Sequence, residues 1–187
     1  MILPVVVYGS AVLKKKTEEI TPNYPRLQTV IADMYETMYN ARGVGLAAPQ
    51  VGLPISLFIV DSTAMEEEEN IDKAVKQVFI NAEIIERSGE DCLYSEGCLS
   101  IPDIHENVIR KPKITIRYVD EHFVEHVDTF EGMPARVIQH EYDHVLGITF
   151  IDHLSPLKKT LLRGKLNDIS TGRKTTFYKT KSETNKC

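Results

Sequence analysis

The sequence predicts an α+β fold in which mainly antiparallel sheets pack around a central helix, with one further helix near each end of the chain. Residues 114–118 alternate between apolar and polar side chains, which is typical of a half-buried strand. Apolar residues recur at helical spacing in residues 25–40 and again in residues 134–146. Because strands precede the central helix instead of alternating with helices, we expect the helices to pack on antiparallel sheet.

The first helix is predicted over residues 25–40, where Pro25 suits the first helical turn because its missing N–H is not needed there. Its buried face would consist of Leu27, Val30, Ile31, Met34 and Met38. Strands are predicted at residues 56–61 and 77–85. The alternating strand should turn near residues 120–122 and return through residues 123–130.

The central helix is predicted over residues 134–146, with Pro134 near its start and Gly147 as its C-terminal stop. A last helix should begin at Ser155, which can cap it, followed by Pro156 in the first helical position. The face that this helix is expected to bury consists of Leu157, Leu161, Leu162 and Leu166.

The chain of 187 residues is long enough for one domain with a sizeable core, and it contains no internal repeat. We expect that domain to cover residues 1–170 and to be followed by a polar tail over residues 171–187 that is frayed or weakly docked. Residues 66–69 are four adjacent glutamates, which repel one another and therefore predict a solvated surface insertion within residues 62–70.

Composition excludes several classes of function. The formal net charge is -5, which disfavours DNA binding through a broad basic field. No apolar run reaches the roughly 20 residues that a membrane helix needs, and the N-terminus lacks the features of a signal peptide. The chain has only three cysteines, Cys92, Cys98 and Cys187, and this small, odd number argues against a disulfide framework. We therefore expect a cytoplasmic protein without a DNA or membrane partner.

The central helix carries the sequence H-E-x-x-H at residues 140–144. Residues four apart differ by about 40° around a helix axis, so His140 and His144 can grip one metal ion from the same face. Glu141 can lean into that site and take a proton from water that the metal acidifies. The alternative is a solvated helix face with two unrelated histidines.

A second motif competes with the first, because residues 122–126 read H-x-x-E-H, the inverted order of the metallopeptidase motif. That motif also requires a helix, whereas this segment follows an alternating strand and has no helical apolar stripe. We expect His122 and His126 to lie on the surface around a β-turn.

The third metal ligand does not follow from spacing. A catalytic site usually has three protein ligands and one open position. The extended zincin pattern requires a histidine where this chain has Phe150, and His153 comes three residues later. Cys98 remains as a candidate because a thiolate is a good soft ligand, although spacing alone does not bring it to the helix.

Three segments together resemble the peptide deformylase family, in the order that the family has them. Residues 43–50 read G-V-G-L-A-A-P-Q, residues 96–100 read E-G-C-L-S and residues 139–144 read Q-H-E-Y-D-H. The resemblance extends from about Leu3 to Leu166 and makes residues 1–170 the expected catalytic domain. It implies a metal-dependent hydrolase that removes the formyl group from the N-terminal formyl-methionine of nascent polypeptides and releases formate.

The resemblance implies that Cys98, His140 and His144 bind one divalent metal ion, with water as the fourth ligand. Ferrous iron is the native ion that the family implies, while zinc, nickel or cobalt can occupy the same ligands. Glu141 would act as the general base and then as the acid that protonates the leaving amine.

The resemblance also assigns the remaining groups. The side-chain amide of Gln50 and the backbone N–H of Leu99 would form an oxyanion hole. Gly45 would let the substrate backbone approach closely. Gln139 and Asp143 are expected either to support the ligands or to pack the helix, and not to bind the ion. The methionine pocket would be formed by Val44, Tyr94, Met133 and Val137, for which ordinary core packing is the alternative.

Two other readings stay open at this level: a metallopeptidase with a long substrate groove, and a non-catalytic protein with a structural metal. Closed structural sites usually have four protein ligands, whereas three are found here. The expected partner is the formyl-methionine nascent peptide. A transient ribosome contact through Lys174, Lys179 and Lys181 is left open, although a solvated tail is the simpler expectation.

Overall fold

The computed structural model describes residues 1–63 and 74–183, so the predicted acidic insertion at residues 66–69 lies outside the described residues. Three α-helices are present in this part of the chain: α1 Leu27–Asn40, α2 Gly132–Val145 and α3 Pro156–Ser170. The strands are β1 Val5–Val6, β2 Gly45–Ala47, β3 Leu57–Asp61, β4 Lys76–Ser88, β5 Cys92–Cys98, β6 Ile101–Arg110, β7 Lys113–Val119, β8 Glu125–Glu131 and β9 Thr180–Lys181. Helices packed on mainly antiparallel sheets confirm the predicted α+β class.

The largest sheet has the strand order β2-β3-β4-β7-β8 and is antiparallel throughout. In β3, Leu57 and Ile59 pack with residues of α1, whereas Phe58 and Val60 pack with residues of α2. The two helices therefore cover opposite faces of the sheet. A strand covered on both faces is apolar at successive positions, which explains why this segment reads as an unbroken apolar run.

A second layer completes the fold. Strands β5 and β6 form an antiparallel hairpin, and the apolar residues of β6 share a core cluster with those of α3. Strands β1 and β9 pair in parallel at the edge of the molecule. The site described below lies where the β5–β6 hairpin meets α2. Within the described residues, no helix is long and apolar enough to cross a membrane.

Several local predictions are confirmed. The predicted strands correspond to β3, β4, β7 and β8, and the turn between the last two is closed by a hydrogen bond from the Phe123 N–H to the Asp120 carbonyl at 2.9 Å. Helix α2 ends as expected, with Gly147 at φ +77° and the Ile148 N–H donating to the Asp143 carbonyl. The Ser155 side chain caps α3 by accepting from the Lys158 N–H.

Two helix predictions need correction. Helix α1 begins at Leu27, after Arg26 in a left-handed conformation with φ 57°, so Pro25 precedes the helix instead of opening it. In α3, Leu157 and Leu161 are 69% and 75% exposed. The buried stripe is shifted around the helix and consists of Leu162, Leu166 and Ile169.

The described part of the C-terminal tail is held by regular backbone pairing, so the expectation of a frayed or weakly docked tail is wrong for these residues. The Val5 N–H donates to the Lys179 carbonyl at 2.8 Å, and the Val7 N–H donates to the Lys181 carbonyl at 3.1 Å. These backbone bonds hold the tail beside the start of the chain.

We expect Gly147→Ala to lower the free energy of unfolding, because the left-handed backbone alone costs an alanine about 1–2 kcal/mol. A Cβ there would also lie 2.8 Å from the backbone carbon of Lys14. Chemical denaturation measures the loss. The matched control is Gly164→Ala in α3, where an added Cβ meets nothing within 4 Å. That control should gain about 1 kcal/mol, and equal effects of the two substitutions would contradict the explanation.

Candidate active site

The three predicted metal ligands meet at one point. Cys98 ends β5, whereas His140 and His144 lie on α2, and their ligand atoms all lie within 4.8 Å of one another. The Sγ of Cys98 is 3.3 Å from the Nε2 of His144. A thiolate and an imidazole bound to the same tetrahedral zinc-like ion lie about 3.5 Å apart, so this spacing fits a shared ion.

Cys98 reaches the helix because the β5–β6 pairing is irregular beside it. The register shifts between Glu96 and Cys98, and such a bulge re-aims the side chain that follows. The intervening Gly97 packs against the ring of His105, where an added Cβ would lie 2.7 Å from two ring atoms. A side chain at this position would require the exposed ring of His105 to move.

His140 is oriented by a buried carboxylate. Its Nδ1 lies 3.0 Å from Oε2 of Glu96, which leaves Nε2 as the atom that faces a metal. Glu96 also accepts hydrogen bonds from Arg110 at 2.7 and 3.0 Å and from Arg136 at 2.7 Å. Because all four side chains are buried, each charge depends on its partners.

A second buried carboxylate extends this network. Asp143 accepts a hydrogen bond from Arg110 at 2.8 Å, and its Oδ2 also lies 2.7 Å from the Nε2 of His153. Asp143 and His153 therefore support the site without joining the three-ligand group. Gln139 donates to the Lys111 carbonyl at 2.9 Å and so ties α2 to the segment between β6 and β7.

The electrostatics of the ligands favour a thiolate at Cys98. Burial raises the pKa of the Cys98 thiol, but the neighbouring imidazoles of His144 and His140 outweigh that effect and lower it to about 5. The pKa of Glu96 is held well below its ordinary value, because hydrogen bonds from His140 and Arg110 outweigh the effect of burial. Both groups are thus present as anions near neutral pH.

Glu141 has the opposite environment. It is buried, and its Oε2 has no hydrogen-bond partner among the described residues; the same holds for Nδ1 of His144. Burial raises the pKa of Glu141 to about 7, despite the attraction of His140 and His144. A carboxylate with a pKa near neutrality and a free oxygen is suited to take up and return a proton.

Gly45 lies directly against this carboxylate. A Cβ at this position would lie 2.6 Å from Oε1 and 2.8 Å from Cγ of Glu141. The structure therefore gives Gly45 a role that the sequence did not indicate, which is to make room for Glu141. The close approach of a substrate backbone remains a prediction.

Gln50 is held in one orientation by the chain segment that carries it. Its Oε1 accepts from the Ala47 N–H at 2.8 Å, so its Nε2 faces the Sγ of Cys98 at 3.5 Å and the Oγ of Ser100 at 3.3 Å. The amide therefore presents an N–H donor beside the ligand group. Leu99 follows Cys98 directly, and its carbonyl accepts from the Tyr178 hydroxyl at 2.7 Å.

These groups open into a cavity of about 820 Å³. Predicted residues among its lining are Gly45, Gln50, Cys98, Leu99, His140 and Glu141, together with the four expected pocket residues Val44, Tyr94, Met133 and Val137. His144 lies beneath the cavity surface and is 1% exposed. The structure thus places these predicted residues around one cavity, and their roles remain predictions.

Sequence reasoning missed other parts of the site. Arg136 stands four residues before His140 on α2 and so shares its face, a spacing that could have indicated it. Arg110 and the cavity-lining residues 175–178 had no local signal, because their positions depend on strand pairing far along the chain. His126 of the competing motif lies in the hairpin as expected, with its Nε2 2.8 Å from Oδ2 of Asp120.

Comparison with known proteins gives a consistent result. A family model described as Polypeptide deformylase matches residues 2–160. The chain is 52% identical over 186 residues to a peptide deformylase of Christiangramia forsetii, covering 96% of this chain and 95% of the relative. It is 52% identical over 188 residues to one of Flavobacterium johnsoniae, covering 97% and 96%. The crystal structure of a peptide deformylase from Legionella pneumophila matches with a TM-score of 0.81 at 37% identity, covering 94% of this chain and all of that one.

We expect Glu96→Gln to weaken metal binding by about 10- to 100-fold, because the neutral amide no longer fixes the tautomer and orientation of His140. Competition with a chelator measures this change. The matched control is Glu106→Gln on β6, the residue that pairs across the hairpin with Glu96 but forms its ion pair with Lys158. Unchanged metal affinity in the Glu96 variant would contradict the orienting role.

Proposed function

The chain belongs to the polypeptide deformylase family, which removes the N-terminal formyl group from nascent peptides, and we propose that it does so with one divalent metal ion held by Cys98, His140 and His144. The observation that carries this proposal is the convergence of these three ligand atoms within 4.8 Å, beside a Glu141 oxygen that has no hydrogen-bond partner among the described residues. In this proposal α2 is the central element of a catalytic domain that covers residues 1–170.

When bound, the ion would supply Lewis acidity to the formyl carbonyl and make water in its open position more acidic. Glu141 accepts a proton from the attacking water at its buried carboxylate. As the C–N bond breaks, the same carboxyl delivers that proton to the methionine nitrogen, and formate and a free amine leave. Burial raises the pKa of Glu141 above its ordinary value, which makes the carboxylate a better acceptor for this proton.

Gln50 and Leu99 stabilise the charge that develops on the formyl oxygen. The Ala47 N–H holds Oε1 of Gln50 at 2.8 Å, so the amide N–H donor is aimed before the substrate arrives. The backbone N–H of Leu99 is the second donor. Donors that need no reorganisation during the reaction contribute most to lowering its barrier.

The methionine side chain occupies the part of the cavity lined by Val44, Tyr94, Met133 and Val137. Met133 and Val137 stand four residues apart on α2 and so share a helix face with the metal ligands. A flexible, unbranched and apolar side chain fits a pocket of this composition.

We further propose that ferrous iron is the native ion and that the enzyme acts in the cytoplasm, with at most a transient ribosome contact. A thiolate and two imidazoles also suit zinc, nickel and cobalt, so affinity alone does not select iron. Anaerobic purification followed by metal analysis tests the choice of ion.

Formate release from formyl-Met-Ala-Ser tests the proposed function, and two variants separate its parts. We expect Glu141→Gln to keep the metal and lose about 10²- to 10⁴-fold in kcat, because only the proton transfer is removed. We expect Cys98→Ala to lose the metal itself, as measured by elemental analysis.

Internal cleavage of an unformylated peptide without formate release would instead identify a metallopeptidase. Normal turnover by the Glu141 variant would remove this residue from the mechanism.

We expect Gly45→Ala to lower kcat by about 100-fold while the metal content stays unchanged, because the added Cβ displaces the Glu141 carboxylate by about 1 Å. The control is Gly164→Ala, which lies in α3 and does not line the cavity. Parallel formate-release and metal assays provide the measurement. Full activity of the Gly45 variant would show that the carboxylate tolerates the contact.

A further inference from the structure

The chain returns to the active site after its last helix. Helix α3 ends at Ser170, Gly172 takes a φ of +72°, and residues 175–178 then line the same cavity as Cys98 and Glu141. We call residues 175–178 the cleft segment. It lies beyond residue 160, where the match to the family model ends.

Contacts hold the cleft segment in place at three points along the chain: just before it, within it and just after it. Before it, Lys174 forms an ion pair with Asp103 of β6. Within it, the Tyr178 hydroxyl donates to the Leu99 carbonyl at 2.7 Å. After it, β9 pairs with β1 in parallel. The segment is therefore a wall of the cavity instead of a loose tail.

Phe177 is the apolar side chain that this wall offers to the cavity. The ring is 70% exposed, although the segment that carries it is held in place. The guanidinium carbon of Arg42 lies 5.3 Å from the ring centroid, and the ring of Tyr178 packs edge-on with centroids 5.1 Å apart. Such contacts orient an aromatic ring and leave most of its surface open to a ligand.

With a substrate in its expected position, the exposed surface of Phe177 is available to peptide residues that follow the methionine. The formyl group lies beside Gln50 and Glu141, and the methionine side chain enters the pocket that includes Met133. A cavity of about 820 Å³ has room for more than a formyl-methionine, and its remaining rim includes Arg42 and Phe177. The peptide must leave the cavity across an open rim.

We infer that Phe177, oriented by Arg42 and Tyr178, is a specificity-determining residue that favours an apolar side chain at the second or third position of the formylated peptide. The inference rests on the proposed function, because the proposed positions of the formyl group and the methionine side chain determine where the rest of the peptide lies. Phe177 contacts the substrate only downstream of methionine and takes no part in the chemical step.

The test compares kcat/KM for four C-terminally amidated substrates, so that no peptide carboxylate reaches Arg42. They are formyl-Met amide, formyl-Met-Ser-Ser, formyl-Met-Leu-Ser and formyl-Met-Ser-Leu. We expect the kcat/KM of the wild type to be about 3- to 10-fold higher for one of the two leucine peptides than for formyl-Met-Ser-Ser, because the leucine side chain becomes partly buried against the ring. Phe177→Ala should remove that preference and leave formyl-Met amide within about twofold.

The matched control is Leu161→Ala, because Leu161 is 75% exposed but belongs to α3 and does not line the cavity. This variant should keep the leucine preference. The inference is overturned if the wild type shows no leucine preference, or if Phe177→Ala lowers all four values equally. Turnover of formyl-Met amide by the wild type reports on the proposed function separately, because this substrate ends before Phe177.

Discussion

The buried carboxylate of Glu96 is the interaction on which the rest of the site depends. It joins the β5–β6 hairpin to α2 by accepting from Arg110 and Arg136 while it holds the Nδ1 side of His140. Charges removed from water are costly unless they are paired and hydrogen-bonded, so this cluster tolerates few alternative arrangements. Glu96 also lies two residues from Cys98, and therefore the interaction that orients an imidazole also positions the thiolate.

Glu96 and Glu141 show how one buried region can hold two carboxylates in different states. Every contact of Glu96 with its arginines and His140 favours the charged form. Glu141, in contrast, is buried, and one of its oxygens has no partner in the part of the chain that the structure describes. Their pKa values are therefore driven apart, with that of Glu141 near 7. In the proposed mechanism, this separation suits one carboxyl group to support and the other to proton transfer. Gly45 makes the second environment compact, because it lets the backbone of β2 touch the Glu141 side chain.

The sequence patterns correctly predicted elements whose structure depends mainly on a short segment of the chain. The alternation in β7 and the helical spacing in α2 are properties of short segments, and both are found in the structure. The convergence of Cys98 with α2 could be expected only from the family resemblance, because it depends on a register shift in a hairpin. The buried face of α3 was wrongly placed at Leu157 and Leu161, since apolar residues at helical spacing do not reveal which neighbours cover them.

The position of the C-terminal tail also could not be predicted from its local sequence. Its polar composition predicts poor docking, because composition measures only how much apolar surface a segment can bury. The tail is instead held by backbone hydrogen bonds to β1, by the pair of Lys174 with Asp103 and by one tyrosine hydroxyl. None of these contacts needs an apolar stretch. The proposed reacting groups therefore lie on elements with recognisable motifs. The outer rim is formed by a segment whose position depends on distant partners, one of which is the carbonyl of Leu99 beside Cys98.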